Sequence, residues 1–218
     1  MKVPLMKEIL GANDQVALEN RAIFDSNRIF SINLMASPGA GKTSFILATA
    51  ERLPKSLKVG VIEGDVASNL DAQAIASRGI PVIQINTGGG CHLDAPMVQS
   101  ALNRLPLGEI NLLFVENVGN LVCPAYFSLG THLNVLIASI PEGHDKPYKY
   151  PDIFAAADAV ILNKVDLLPL VDFDLEYFRR GISMVNPAVP LFPVSCKTGE
   201  GLEEWVKWLL LRVRNAFS

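Results

Sequence analysis

Cysteine and histidine are scarce in this 218-residue sequence, which contains three of each. An odd and small number of cysteines does not suggest a disulfide framework and fits a chain kept in a reducing compartment. Basic residues are not in excess either, since 19 Lys and Arg against 22 Asp and Glu give a net charge of −3. Without a broad basic surface, we expect no binding to nucleic acid or to an anionic membrane.

Long apolar runs are also absent. Even the run at 205–211 is too short and too interrupted to span a bilayer. The first 19 residues carry scattered charges and lack the apolar core and small-residue cleavage site of a signal peptide. We therefore expect a cytoplasmic protein. Half of the residues are hydrophobic, which is enough to bury the core of one α/β domain, and no linker divides residues 1–218.

Apolar segments alternate with segments of helical periodicity along the chain. The predicted strands are 29–35, 58–63, 81–86, 111–116, 134–140, 159–162 and 190–194. The predicted helices are 42–53, 69–78, 94–104, 172–185 and 200–215. Such alternation favours an α/β fold with a mostly parallel β-sheet and helices on both faces. An amphipathic pattern at 5–24 adds an N-terminal helix, so we expect a helical extension at 1–27 and a core at 28–218.

A phosphate-binding loop is the most specific motif. Residues 36–44 read Ala-Ser-Pro-Gly-Ala-Gly-Lys-Thr-Ser and lie between a predicted strand and a predicted helix. Glycines let several backbone N–H groups converge on a polyphosphate, and the positive helix end faces the same anion. By this pattern Lys42 reaches the β- and γ-phosphates as a catalytic residue, while the Thr43 hydroxyl binds Mg²⁺. The predicted nucleotide contacts here are Ser37, Pro38, Gly39, Ala40, Gly41, Lys42, Thr43 and Ser44.

A second motif, Asn163-Lys-Val-Asp166, follows a predicted strand and suits guanine. The Asp166 carboxylate can accept hydrogen bonds from N1–H and the exocyclic amine, a pair that adenine does not offer. The stem of Lys164 would lie along the purine, and Asn163 would brace the loop. A later segment resembles the loop that GTPases place over the guanine O6 and consists of Ser195, Cys196 and Lys197. The alternative is an ordinary capping turn after a strand.

Acidic side chains follow two predicted strands. Ligands lie beyond the carboxyl ends of strands in open parallel sheets, so Asp65 and Glu116 should converge near the phosphate-binding loop. We predict that both bind Mg²⁺ with Thr43 and that Asp65 is catalytic. Gly119 would offer its N–H to the γ-phosphate, and Asp71 is a weaker candidate for positioning the attacking water. Alternatively, each acid caps the next element.

Soft metal ligands form a third cluster. Cys91 and His92 follow three glycines, and Cys123 comes seven residues after Glu116. Thiolates and an imidazole suit Ni²⁺ or Zn²⁺ rather than Mg²⁺. The alternative is two small buried cysteines and a solvent-exposed histidine. We expect no metal role for the remaining residues of these types, which are Cys196, His132 and His144, and we expect the two histidines at the surface.

Together these motifs resemble those of the nickel-insertion GTPases that mature nickel–iron hydrogenases, a subset of the P-loop GTPases. The resemblance covers nearly the whole chain and is carried by residues 36–43, 63–65, 87–95, 116–125, 142–147, 149–151 and 163–166. Segment 116–125 is the most specific. The related urease-maturation GTPases carry a Cys-Pro-His metal motif, and that tripeptide is absent from this sequence.

The resemblance implies a metallochaperone that hydrolyses GTP slowly and gates nickel insertion. Its ligands would be GTP or GDP, Mg²⁺, and Ni²⁺ or Zn²⁺ held by Cys91, His92 and Cys123. It further implies a homodimer formed on GTP binding, a zinc-binding maturation partner and the hydrogenase large subunit as recipient. Residues 1–30 contain no Cys or His, so we expect no separate N-terminal nickel site. Ala36, Pro141 and His144 also depart from the common pattern.

Two alternatives remain beside this interpretation. The first is a GTPase that serves another metalloenzyme, such as urease or a cobalamin-dependent mutase. The second is a passive nickel-binding module in which the nucleotide only sets the oligomeric state. GTP turnover with and without Lys42 separates an enzyme from a passive module. Nickel rescue of a hydrogenase defect separates the first alternative from hydrogenase maturation.

Overall fold

The structure is a computed structural model that describes residues 5–66 and 68–217, with side chains described from residue 10 onward. Residues 1–4 of the predicted N-terminal extension and Ser218 lie outside the described residues. The predicted N-terminal helix is present as α1, Leu5–Ser26. Within the described ranges, no helix is long and apolar enough to cross a membrane.

Seven strands in the described part of the chain form one parallel sheet in the order β3-β2-β4-β1-β5-β6-β7. They are β1 Phe30–Ala36, β2 Val59–Asp65, β3 Val82–Asn86, β4 Leu112–Glu116, β5 Leu133–Ser139, β6 Ala159–Asn163 and β7 Leu191–Pro193. Every strand predicted from the sequence is present, and the predicted parallel α/β fold is confirmed. Strands buried on both faces read as nearly continuous apolar runs, which made them easy to recognise.

Helices cover both faces of the sheet. After α1 they are α2 Lys42–Ala50, α3 Leu70–Ala76, α4 Ala95–Leu102, α5 Lys146–Lys149, α6 Pro151–Ala155, α7 Leu175–Val185 and α8 Leu202–Ala216. One core joins α2 and α8 to the sheet through residues such as Phe45 and Trp205. The opposite face carries two further clusters, one with α1 and α4 and one with α6 and α7.

Several boundaries differ from the prediction for local reasons. β2 continues to Asp65, so the acidic segment belongs to the strand rather than following it. Helices α4 and α7 begin later than predicted because Asp94 and Asp174 are N-caps whose carboxylates accept backbone N–H bonds. Helices α5 and α6 were not predicted. Their prolines stand in the first turn, where the missing N–H costs nothing.

The expectation that His132 is a surface residue is wrong. Its side chain is 10% exposed, and its ring stacks on Phe30 at a centroid distance of 4.8 Å. Nδ1 accepts the backbone N–H of Ser31 at 3.1 Å, and Nε2 lies 2.9 Å from a carboxylate oxygen of Asp25. His144 is also partly packed, and its Nδ1 accepts the Asp174 N–H at 3.0 Å.

Candidate nucleotide and metal sites

The predicted phosphate-binding loop lies between β1 and α2, where α2 begins at Lys42. Gly39 and Gly41 adopt left-handed backbone angles, with φ of 76° and 98°. A Cβ on Gly41 would also lie 2.6 Å from the Asn163 side-chain nitrogen. The loop therefore needs glycine at position 41 for both conformation and space. The loop leads into the start of the nine-residue helix α2, and a helix N-terminus of this kind suits an anion.

Side chains from distant strands brace this loop. The Asn163 amide donates to the Ala40 carbonyl at 2.9 Å, and Lys164 Nζ donates to the Gly39 carbonyl at 2.7 Å. Bracing by Asn163 agrees with its predicted role. The contact of Lys164 with the loop was not predicted, and its place along the purine stays a prediction.

Glu142 also contacts the loop and was not among the predicted site residues. Its carboxylate accepts hydrogen bonds from the hydroxyls of Ser37 and Ser139, the second at 2.7 Å. Burial raises the pKa of this carboxyl. A carboxylate so close to Ser37 gives the loop a polar partner that no local pattern reveals, because the two residues are 105 positions apart.

A cavity of ≈ 350 Å³ lies beside the loop, a size suited to a small ligand. Its lining residues are Gly41, Ser44, Asn163, Lys164, Asp166, Leu167, Cys196 and Lys197. The Ser195 hydroxyl donates to Asp166 at 2.6 Å, and the Cys196 N–H donates to the Asn163 side-chain oxygen at 3.3 Å. The two base motifs predicted from sequence therefore meet in space. Burial raises the pKa of the Cys196 thiol to about 11, so it stays protonated.

A larger cavity of ≈ 700 Å³ lies elsewhere, near the start of β2. It is lined by residues such as Leu47, Arg78 and Ile110 and includes none of the predicted site residues. Ligands of open parallel sheets bind at the carboxyl ends of the strands. The smaller cavity and the phosphate-binding loop lie at those ends, whereas the larger cavity lies at the opposite edge, where β2 begins.

Two buried carboxyls stand behind the loop. Glu63 on β2 and Glu116 on β4 are register partners and are 1% and 2% exposed. The Thr43 hydroxyl donates to Glu116 at 3.0 Å, and one oxygen of each carboxyl lacks any partner. Burial, with repulsion from neighbouring carboxylates, raises the pKa of Glu63 to about 8, and burial raises that of Glu116 to about 7. A hard divalent cation prefers carboxylate oxygens, so it could take the place of the proton and bind the oxygens that lack a partner.

Asp65 ends the same strand as Glu63 and lies close enough for its charge to raise the Glu63 pKa. Its carboxylate accepts the Ser68 N–H at 2.7 Å, so part of its role is to shape the following loop.

Glu63 was not among the predicted site residues. The period of two in a strand puts residues 63 and 65 on one face, and that signal was present in the sequence.

The three predicted metal ligands come together. Their ligand atoms all lie within 4.8 Å of one another, with the Cys91 and Cys123 sulfurs 3.1 Å apart. Cys91 and His92 occupy an irregular loop after β3 rather than a strand, so both side chains can face the same point. Burial lowers the pKa of His92, and its ring lies 3.9 Å from that of Phe127. A neutral imidazole with two thiols is suited to Ni²⁺ or Zn²⁺.

The loop that follows β4 touches both sites. A Cβ on Gly119 would lie 2.9 Å from the backbone of Pro38, so this loop packs directly on the phosphate-binding loop. Four residues later the same loop supplies Cys123. One short segment thus contacts the nucleotide loop at one end and the metal cluster at the other.

Residues 31–193 match the nucleotide-binding domain of the CobW/HypB/UreG family. The hydrogenase maturation factor HypB of Azotobacter vinelandii is 52% identical over 203 residues, which cover 93% of this chain and 67% of the relative. The crystal structure of HypB from Helicobacter pylori in complex with nickel has a TM-score of 0.90 at 36% identity, covering 95% of this chain and 97% of that one. The HypB structure from Archaeoglobus fulgidus has a TM-score of 0.87 at 36% identity, covering 93% and 99%.

Proposed function

This chain belongs to the CobW/HypB/UreG family, and we propose that it is a GTPase that binds nickel and gates nickel insertion into the large subunit of nickel–iron hydrogenase. The observation that carries the proposal is the loop from Glu116 to Cys123. It joins the buried carboxyl beside Thr43 to the thiol–imidazole cluster. Two comparisons support the proposal. The similar proteins are named hydrogenase maturation factors, and one related structure contains nickel.

We infer the nucleotide contacts from the phosphate-binding loop and the cavity beside it. Lys42, at the start of α2, would hold the β- and γ-phosphates. Asp166 would accept the N1–H and amine of guanine, while the Ser195 hydroxyl fixes its carboxylate. The predicted Mg²⁺ ligands are Thr43, Glu116 and Asp65. The unpartnered carboxyl oxygen of Glu116 fits that role, since Mg²⁺ would replace a missing partner.

Nickel would be held by the thiolates of Cys91 and Cys123 with the His92 imidazole, and Zn²⁺ suits the same ligands. Three protein ligands leave at least one position open. An open position lets water, a second subunit or a receiving protein enter the coordination shell, which is what delivery requires. By resemblance, the receiving chain of proteins includes a zinc-binding maturation partner and the hydrogenase large subunit.

A homodimer formed on GTP binding is part of the proposal. Asp166 lies in a short 3-10 helix, Val165–Leu170, and Val171 follows it. The side chains of Leu170 and Val171 are 77% and 38% exposed. Large exposed apolar side chains next to the nucleotide site are suited to a nucleotide-dependent contact between two copies. A γ-phosphate that draws in the loop at Gly119 would order that loop when GTP binds.

Nickel affinity in different nucleotide states tests the proposal. We would titrate nickel into protein bound to GDP and to a non-hydrolysable GTP analogue at fixed pH. The proposal predicts different dissociation constants in the two states, with a coupling of about 1–3 kcal/mol. Cys91→Ala should lose tight nickel binding and keep its GDP affinity, whereas Cys196→Ala, a matched cysteine in the base cavity, should keep nickel. Equal nickel affinity in both states would show that the nucleotide does not gate the metal.

A further inference from the structure

Asn120 is placed between the nucleotide loop and the metal ligands. Its backbone N–H donates to the Ala36 carbonyl at 2.7 Å, where β1 ends and the phosphate-binding loop begins. Its side-chain amide donates to the Cys91 carbonyl at 3.0 Å. Its side-chain oxygen accepts the N–H of Val122, the neighbour of Cys123, at 2.9 Å. One residue therefore holds the nucleotide loop and both cysteine segments.

A nearby asparagine fixes the other end of this loop. Asn117 is fully buried, and its oxygen accepts the N–H groups of Leu93 and Val118, both at 2.9 Å. Its amide donates to Asn33 at 3.2 Å, which ties it to the interior of the sheet. Asn117 thus anchors the loop to β1. Asn120, three residues further on, is partly exposed and is tied to the end of β1 and to Cys91 rather than to the interior of the sheet.

We propose that Asn120 is the positioning residue that transmits the nucleotide state to the metal site. The inference rests on the proposed function, in which a γ-phosphate orders the loop at Gly119. Gly119 packs on Pro38 and is directly followed by Asn120. A shift of the loop at Gly119 moves the Asn120 backbone, and the two side-chain hydrogen bonds carry that shift to Cys91 and to the segment of Cys123. Two thiols pulled to a new separation bind a metal ion with a different affinity.

The test separates coupling from simple structural support. Nickel dissociation constants are measured for the parent and for Asn120→Ala, each bound to GDP and to a non-hydrolysable GTP analogue. The quantity of interest is the ratio of the two constants. We expect a parent ratio of about 5–150, the usual range for coupled sites, and a ratio near 1 in the variant. A residue with only structural importance would change both constants by the same factor and leave the ratio intact.

Asn120→Asp provides a second, isosteric variant. Its carboxylate still accepts the Val122 N–H and has no donor for the Cys91 carbonyl. The added charge acts on nickel in both nucleotide states, so it largely cancels from the ratio, which should again fall toward 1. Asn86→Ala is the matched control. Asn86 makes a comparable bond to the Gly88 N–H in the loop of Cys91 and has no bond to the nucleotide loop, so its ratio should equal that of the parent.

The outcomes distinguish the inference from the proposed function. A parent ratio of 1 would refute nucleotide gating and this inference with it. A parent ratio well above 1 that both Asn120 variants retain would leave gating intact and overturn the role of Asn120. An equal loss of the ratio in Asn86→Ala would also overturn it, because any disturbance of the Cys91 loop would then suffice.

Discussion

Replacing the buried Glu63 with Gln should flatten the dependence of stability on pH. The Glu63 carboxyl has a pKa of about 8 in the folded chain against an ordinary value of 4.5. Between about pH 5.5 and pH 8 the folded form therefore keeps a proton that the unfolded form has lost. Because the raised folded-state pKa favours folding at low pH, this contribution to stability is lost as the pH rises through the interval.

The size of the effect follows from that one proton. Stability changes by about 1.4 kcal/mol per pH unit when the two states differ by one bound proton. The parent should therefore lose about 3 kcal/mol more than Glu63→Gln between about pH 5.5 and pH 8. The charge of Glu116 contributes to the raised pKa of Glu63, so the difference between the two proteins, rather than the pH dependence of either one, measures the effect of Glu63.

Urea unfolding without metal or nucleotide, followed by the fluorescence of Trp205 and Trp208, measures this difference. With a slope near 3 kcal/mol per molar urea, the two midpoints should move apart by roughly 1 M across the interval. Glu109→Gln, at an exposed glutamate, is the matched control and should follow the parent. If parent and Glu63→Gln lose stability in parallel, Glu63 is ionised in the folded chain and the reasoning about the buried pair is wrong.

Three further predictions concern the base, the phosphates and His132. Asp166→Asn should weaken the binding of guanine nucleotides by about 1–3 kcal/mol and shift the preference toward xanthosine nucleotides, as measured by competition binding. If the parent protein binds ATP and GTP equally well, the assignment of Asp166 to guanine recognition is wrong. Lys42→Ala should lose GTP binding and the GTP-dependent dimer, whereas unchanged mass by light scattering with GDP and with the analogue in the parent would disprove the coupling. Burial lowers the pKa of His132 below its ordinary value of 6.5. The histidine therefore contributes to stability above pH 6.5, and this contribution is lost on acidification. Between about pH 7 and pH 5 the urea midpoint of His132→Gln should fall less than that of the parent.

The parts of the fold and site that the sequence predicted are those specified by local patterns. The strand, glycine-rich turn and helix at 29–53 depend on neighbouring residues, so their order alone identified the loop. The ligand types of Cys91, His92 and Cys123 suggested the cysteine–histidine cluster, and the family resemblance singled out these three residues as a set; in the structure Cys91 and Cys123 follow neighbouring parts of one parallel sheet. Strand ends meet at one edge in such sheets, so ligands distant in sequence converge.

The features missed in the sequence depend on partners far along the chain. Glu142 meets Ser37 across 105 positions, and His132 meets Ser31 across 101. No periodicity or spacing links such residues. The two helices at 146–155 were not predicted for a different reason. Their prolines suggest a loop, although proline is well tolerated in the first turn of a helix. The roles of the individual site residues remain predictions.

The strand order poses a steric problem for the metal cluster, and Gly64 resolves it. Cys91 and His92 follow β3, and Cys123 follows β4, but β2 lies between those strands. The chain after β3 must therefore cross the end of β2 to bring its ligands to the β4 loop. Leu93, next to His92, is fully buried, and a Cβ on Gly64 would lie 2.7 Å from its side chain. The missing side chain at position 64 leaves the space for this crossing, so the glycine between Glu63 and Asp65 makes room for the chain that carries Cys91 and His92 to Cys123.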